Sequence, residues 1–104
     1  MVDLTVVILT KNEEKNLEKC IQSFKGIAKH FVIIDSFSTD ETLNIAESFG
    51  ADVIQHKFEN HAAQFNWGIA NANITTTWTM KIDADEELTT ELAEELDHKL
   101  DSLP

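Results

Sequence analysis

Residues 4–9 read LTVVIL and residues 10–13 read TKNE, and the change between these two runs decides the fold. The first run is β-branched and almost entirely apolar, a pattern typical of a strand that is covered on both faces. Polar side chains begin where that strand ends. Strands buried on both faces belong to parallel sheets with helices on either side, so this stretch predicts an α/β fold.

The same strand–helix unit recurs along the chain. The predicted strands cover residues 4–9, 31–34, 51–54 and 78–82, and the predicted helices follow them at about 13–24, 41–49, 61–72 and 90–100. Four such units in succession predict an α/β domain with an open, mostly parallel sheet and right-handed crossovers.

Helix ends can also be predicted from the sequence. Asn12 is placed to cap the first helix, and Ser38–Glu41 matches a capping box for the second. Gly50 is expected at the position just after that second helix. Thr89 or Thr90 is expected to cap the last helix, which carries leucines one turn apart.

Length and charge exclude several classes of protein. The chain has 104 residues, enough for a single domain over 1–104, and its 8 basic and 19 acidic side chains give a net charge of −11. This charge argues against nucleic-acid binding and against unaided binding to anionic lipid. No apolar run approaches the ~20 residues of a membrane span, and no basic segment marks a signal peptide. Cys20 is the single cysteine, which fits a reducing cytoplasm.

Polar residues follow three of the predicted strands, at Thr10–Glu13, Asp35–Asp40 and Asp83–Glu86. Ligands of open α/β sheets bind in the crevice beyond the carboxyl ends of the strands. Residues far apart in the sequence are therefore predicted to converge on one rim of the sheet.

The segment Asp83-Ala84-Asp85 is the strongest chemical signal at this rim. In extended backbone, residues two apart project from the same side, and paired carboxylates suit Mg²⁺ or Mn²⁺. Taken alone, the segment fits a solvated turn before an acidic helix better than a metal site, but its place beside two other polar strand ends favours a metal. Asp35 remains ambiguous, because it could cap its own loop or accept hydrogen bonds from a nucleobase or ribose.

Other reactive residues point to no further site. The four histidines lack zinc-site spacing and are interpreted as structural or surface residues, with His61 closest to the rim. The loop after the second strand has no glycine, so it matches neither the dinucleotide fingerprint nor the P-loop.

Three segments together resemble family 2 glycosyltransferases of the GT-A fold: VVILTKNEE at 6–14, VIIDSFSTDET at 32–42 and IDADE at 82–86. The stretch AAQFNW at 62–67 and the ending DADE are similar to the branch that builds bacterial lipopolysaccharide cores and related surface glycans. The resemblance covers essentially the whole chain, and it implies the Rossmann-like, nucleotide-sugar-binding N-terminal half of such an enzyme.

The resemblance implies inverting transfer of a sugar from a nucleotide-diphosphate donor, most simply a UDP-sugar, to an acceptor hydroxyl. Asp85 would bind the divalent cation, Mn²⁺ or Mg²⁺, that bridges the diphosphate. Asp83 would lie near the ribose or in the water shell of the metal. Thr10, Lys11 and Asp35 would line the nucleoside pocket.

Three residues depart from the family pattern. Lys11 stands where many relatives carry an aromatic residue that stacks on the base. Ser36 replaces the second carboxylate of the common Asp-Asp pair. Phe65 occupies the position of a basic residue before Asn66, which removes an expected contact to the diphosphate.

The family's catalytic domain is considerably longer than 104 residues, and its second half supplies the acceptor site and the general base. No general base is assigned here, because Glu86 and Glu87 are better explained as residues leading into the last helix. We therefore expect the donor-binding half of an enzyme, without sugar transfer of its own. An apolar edge at the fourth strand is expected to pair two chains into a symmetric dimer. The full enzyme is expected in the cytoplasm, with peripheral association at the inner face of the membrane.

Two other functions fit parts of the sequence. One is a non-catalytic α/β binding or interaction module of the same ancestry. The other is a flavodoxin-like phosphoacceptor domain with Asp35 as the phosphorylated residue, although that fold expects five strands and an early acidic pair.

Overall fold

A computed structural model of the chain describes residues 3–85, which form four strands and three helices in strict alternation. The strands are β1 (Leu4–Thr10), β2 (His30–Asp35), β3 (Asp52–Gln55) and β4 (Trp78–Asp83). The helices are α1 (Leu17–Ser23), α2 (Thr42–Ser48) and α3 (His61–Asn71). The predicted last helix lies outside the described residues.

All four strands are parallel, in the order β3-β2-β1-β4. This confirms the predicted open α/β sheet. β1 lies between its two partners, with Leu9 opposite Ile34 on β2 and Asp83 on β4. The chain moves outward from β1 to β3 and then returns across the sheet to β4, so the order reverses between β1 and β4. In doubly wound sheets this switch point is where ligands bind.

Two apolar clusters cover the two faces of the sheet. The α1–α2 face includes Leu17, Ile21 and Phe24 of the first helical segment, packed beneath β1 with Ile8. The α3 face is smaller and holds Val7, Leu9, Val32 and Ile34, with Phe65 and Trp67 of α3 packed against them. β1 is buried along its whole length, as the continuous apolar run predicts. None of the helices within residues 3–85 is long and apolar enough to cross a membrane.

α3 packs closely against β2 at Gly68, which has no side chain. A Cβ atom built on Gly68 would lie 1.7 Å from Cδ1 and 2.8 Å from Cγ1 of Ile34. Both residues are buried. The absence of a side chain at this position therefore sets the depth at which α3 lies on the sheet.

Two predicted helix caps are wrong. α1 begins at Leu17, well after Asn12, which has a left-handed φ of 54° and accepts a hydrogen bond from the Thr39 amide through Oδ1 at 2.8 Å. The capping box is also absent, because the Ser38 amide donates to Asp35 and not to Glu41. The side chains of Asn12 and Ser38 instead accept hydrogen bonds that join the loop after β1 to the loop after β2.

The predicted end of the second helix is confirmed, and the predicted cap of the last helix at Thr89 or Thr90 lies outside the described residues. Gly50 follows α2 with φ of 73°, a conformation that glycine adopts without steric cost. The cap of α3 was not predicted from the sequence. Asn60 caps α3, and its Oδ1 accepts a hydrogen bond from the Ala63 amide at 2.8 Å.

Candidate functional site

A cleft of about 680 Å³ opens at the carboxyl ends of the strands. It is lined by residues that follow every strand and by the first turn of α3: Leu9, Thr10, Lys11, Glu13, Ser36, Phe37, Lys57, Phe58, His61, Gln64, Asp83, Ala84 and Asp85. The predicted convergence of polar residues at one rim is therefore confirmed.

Asp83 and Asp85 of the DAD segment both line this cleft, on the β4 side. Asp83 ends β4, and its Oδ1 lies 3.9 Å from Nδ1 of His61. Ala84 is buried, while Asp85 is exposed to solvent. The Sγ of Cys20 lies 3.9 Å from the carbonyl oxygen of Asp83, a weak contact that links the strand end to α1.

The donor set at this point suits a hard divalent cation that it shares with a ligand. Within residues 3–85, no group of three or more His, Cys, Asp or Glu side chains is arranged to hold a metal ion. Mg²⁺ is commonly held by only one or two carboxylates and completes its shell with waters and substrate phosphates. Asp83 and Asp85 fit that mode of binding and do not form a closed protein cage.

Asp35 is fully buried and lies beneath the cleft wall, so it is not one of the lining residues. Its Oδ1 accepts a hydrogen bond from the Thr10 hydroxyl at 2.6 Å and another from the Ser38 hydroxyl at 2.5 Å. Its Oδ2 accepts the Ser38 amide at 2.8 Å. The carboxylate thus ties the end of β1 to the loop after β2. Such burial does not suit a phosphoacceptor, which must be reached by its phosphodonor.

Two loops form the wall above Asp35, and hydrogen bonds donated by the loop after β1 join it to the loop after β2. Lys11 Nζ donates to the carbonyl oxygen of Phe37 at 3.1 Å, and the Asn12 amide donates to Ser38 Oγ at 2.8 Å. Phe37 has a left-handed φ of 56° and its side chain is 58% exposed. Non-glycine residues in this region carry backbone strain, which surrounding contacts must hold.

Asp40 anchors the far end of the same loop. Burial raises the pKa of its carboxyl, but hydrogen bonds from the hydroxyl and amide of Thr42 and from the Glu14 amide outweigh that effect and hold the pKa below its ordinary value. The ionised form of Asp40 is therefore the one that orders the start of α2.

A buried polar network lies on the β3 side of the cleft. Gln64 of α3 is 1% exposed and contacts both Ser36 Oγ, at 3.0 Å from its Nε2, and His56 Nδ1, at 2.8 Å from its Oε1. The His56 ring stacks on Trp67 with a centroid separation of 4.0 Å. These contacts fix the position of Gln64 under the cleft.

Sequence reasoning identified some of the cleft and missed other parts. Thr10, Lys11, Asp83 and Asp85 line it, whereas Asp35, which the resemblance placed in the lining of the nucleoside pocket, does not. Lys57 and Phe58 were missed because they lie in a polar loop with no motif. The sequence could have indicated them only through their position, because their loop follows the carboxyl end of a parallel strand.

Comparison with known proteins places this architecture in a family. The family model described as glycosyl transferase family 2 matches residues 5–104. An uncharacterized glycosyltransferase of Rickettsia bellii is 39% identical over 95 residues, which are 91% of this chain and 32% of that protein. The chain therefore spans about a third of the length of the curated relatives that it matches.

Solved structures share the fold at lower identity. TarS of S. aureus, residues 1–349, superposes with a TM-score of 0.69 at 21% identity, over 94% of this chain and 32% of that one. Glucosyl-3-phosphoglycerate synthase from Mycobacterium tuberculosis, in complex with UDP, gives a TM-score of 0.67 at 23% identity, over 82% of this chain and 34% of that one. At this level of identity the likeness shows the fold alone.

Proposed function

This chain belongs to glycosyl transferase family 2, and from that premise we propose that its cleft binds a nucleoside-diphosphate sugar, most simply a UDP-sugar, together with Mn²⁺ or Mg²⁺. The sugar is then transferred to an acceptor hydroxyl with inversion at the anomeric carbon. We assign the binding of the nucleotide sugar to residues of this chain, and the transfer of the sugar to the whole enzyme.

One observation carries the proposal. Asp83 at the end of β4 and Asp85 just after it line the same cleft as Thr10 at the end of β1, Lys11 just after it, and Ser36 just after β2. This is the switch point of the sheet, where a ligand can contact the ends of three strands at once.

Asp85 would hold the cation, and Asp83 would contact either the cation's water shell or the ribose. A bound divalent cation neutralises the diphosphate leaving group, whose charge grows as the glycosidic bond breaks. The chain carries a net charge of −11, so a phosphate-rich ligand needs local positive charge in the cleft. The ammonium group of Lys57, which lines the same cleft, is placed to supply it.

The nucleoside would lie across β1 toward β2. Thr10 and Lys11 line this part of the cleft. Asp35 is buried behind them, and its carboxylate accepts hydrogen bonds from the Thr10 hydroxyl and the Ser38 amide. In this proposal Asp35 shapes the nucleoside pocket through its neighbours.

Structures of related fold support the choice of ligand. TarS has been solved in complex with UDP, and glucosyl-3-phosphoglycerate synthase with Mn²⁺ and UDP. By extension we propose a role of the whole enzyme in bacterial surface-glycan synthesis, in the cytoplasm at the inner face of the membrane. Self-association through the β4 edge stays a prediction that sedimentation at micromolar concentration can test.

Isothermal titration of the chain with UDP and with GDP, each with and without Mn²⁺, tests the proposal. We expect UDP to bind when Mn²⁺ is present and to bind at least tenfold more weakly when the metal is chelated. Failure of both nucleotides to bind under either condition would contradict it and leave a module that has kept the fold without the chemistry.

A further inference from the structure

We infer that Gln64 holds the Ser36 hydroxyl as a hydrogen-bond donor directed into the cleft, and that this donor contacts an acceptor atom on the base of the bound nucleotide. The inference rests on the nucleotide binding proposed above. It makes Ser36 a determinant of base recognition and Gln64 its positioning residue.

The orientation of the Gln64 amide follows from its neighbours. One end of the amide lies 3.3 Å from the carbonyl oxygen of His56, which can only accept, so that end must be the Nε2 donor. The other end is then Oε1, which lies 2.8 Å from His56 Nδ1 and requires a proton on that nitrogen. The stacking of His56 on Trp67 keeps the imidazole in place.

The same orientation decides the role of the Ser36 hydroxyl. Gln64 Nε2 lies 3.0 Å from Ser36 Oγ and donates to it, so the serine oxygen accepts at this contact. Within residues 3–85 the Ser36 hydroxyl makes no other hydrogen bond, and Ser36 lines the cleft with 7% of its surface exposed. Its proton is therefore left for an acceptor on a ligand. Because both partners are buried, the donor is oriented before any ligand arrives.

The position of Ser36 points to the base and not to the diphosphate. Ser36 follows β2, and the carboxylates for the cation lie at the end of β4 and just after it, with β1 between the two strands. Neighbouring strands are ~4.8 Å apart, so the two strand ends are separated by about 10 Å. A nucleotide whose diphosphate lies at Asp85 must extend across β1 to reach Ser36. Phe37 and Phe58, which are 58% and 46% exposed, line the same cleft and offer apolar surface for a planar ring.

This arrangement differs chemically from a carboxylate at the same position. A carboxylate accepts hydrogen bonds from ring N–H groups, whereas the Ser36 proton requires a carbonyl oxygen or an unprotonated ring nitrogen. A serine at this position therefore offers the base a donor, where a carboxylate would offer only acceptors.

Titration calorimetry with UDP and with pyrophosphate, both in saturating Mn²⁺, tests the inference on four proteins: wild type, Ser36→Ala, Gln64→Met and the double variant. We expect Ser36→Ala to weaken UDP binding about threefold to tenfold, as for the loss of one neutral hydrogen bond. Pyrophosphate affinity should stay within twofold. Gln64→Met should weaken UDP binding similarly in the wild-type background and have no further effect when Ser36 is absent.

Asn71→Ala is the matched control, because Asn71 is a polar residue of α3 that bonds the Trp67 carbonyl away from the cleft. It should leave UDP affinity unchanged. The ¹⁵N chemical shifts of His56 in the ligand-free protein give a second readout that needs no ligand, and they should report a proton on Nδ1.

Three results would overturn the inference while leaving the proposed function intact: unchanged UDP affinity in Ser36→Ala, an equal loss of pyrophosphate affinity in that variant, or a neutral His56 protonated only on Nε2. Additive effects of the two substitutions would show that Gln64 acts independently of Ser36, which also contradicts it. A wild-type chain that binds neither UDP nor pyrophosphate with Mn²⁺ refutes the proposed function itself.

Discussion

Replacing Gly68 by alanine tests how α3 is seated on the sheet, and α3 carries both Gln64 and His61 into the cleft. The new Cβ would lie 1.7 Å from Cδ1 of Ile34, a side chain with no solvent exposure. Forcing an extra carbon into a packed core costs about 1–3 kcal/mol. The higher helix propensity of alanine offsets about 1 kcal/mol. Because the overlap involves two atoms of a buried side chain, we expect a net loss of about 2 kcal/mol in the free energy of unfolding.

Urea denaturation of the 104-residue chain, followed by circular dichroism, measures this loss. Ala70→Gly, at an exposed position of the same helix, calibrates the propensity contribution and should cost about 1 kcal/mol. Ile34→Val removes the Cδ1 atom and should lower the free energy of unfolding of the wild type by about 1 kcal/mol. In the Gly68→Ala background the same change should raise the free energy of unfolding by at least about 1 kcal/mol, because it removes the overlapping atom. If Gly68→Ala instead stabilised the protein by about 1 kcal/mol, propensity alone would govern this position and the close contact of α3 with β2 would be refuted.

Two further predictions concern the loops that frame the cleft. Asn60→Ala should lower the free energy of unfolding by about 1 kcal/mol in the same urea assay, because the cap on the Ala63 amide is lost, whereas Asn60→Asp should retain most of it. Asp40 has a pKa below its ordinary value of 3.8 in the folded state, so its contribution is present above that value and is lost as the pH falls through the lowered pKa. At neutral pH, Asp40→Asn should therefore have a lower free energy of unfolding than the wild type. The difference between the two proteins should shrink below about pH 4. A difference that stays constant with pH would show that the charge of Asp40 does not stabilise the loop.

Much of the fold could be predicted because hydrophobic periodicity is a local property. The run at 4–9 is apolar on both faces, and the structure buries β1 throughout. The α3 boundaries were also predictable, since the 61–72 segment has a helical pattern and ends close to the observed Asn71.

The errors arose where local propensity competed with contacts between loops. Asn12 and Ser38 are good helix caps in isolation, but in the structure both are used to join the loops after β1 and β2. Partners of this kind, 26 and 27 residues apart in the sequence, cannot be inferred from a short pattern. Asp35 illustrates the same limit, because its position in the motif suggested a cleft residue while its burial beneath Thr10 depends on the pairing of the two strands.

The most direct test of the central claim is the affinity of the chain for UDP as a function of Mn²⁺ concentration, compared between wild type and Asp85→Asn. Asp52→Asn serves as the control, because Asp52 is also exposed but begins β3 and is not among the residues lining the cleft. The account predicts metal-dependent UDP binding by the wild type and by Asp52→Asn, and its loss in Asp85→Asn without a large change in melting temperature. Binding of UDP by Asp85→Asn with the wild-type affinity and metal dependence would contradict it.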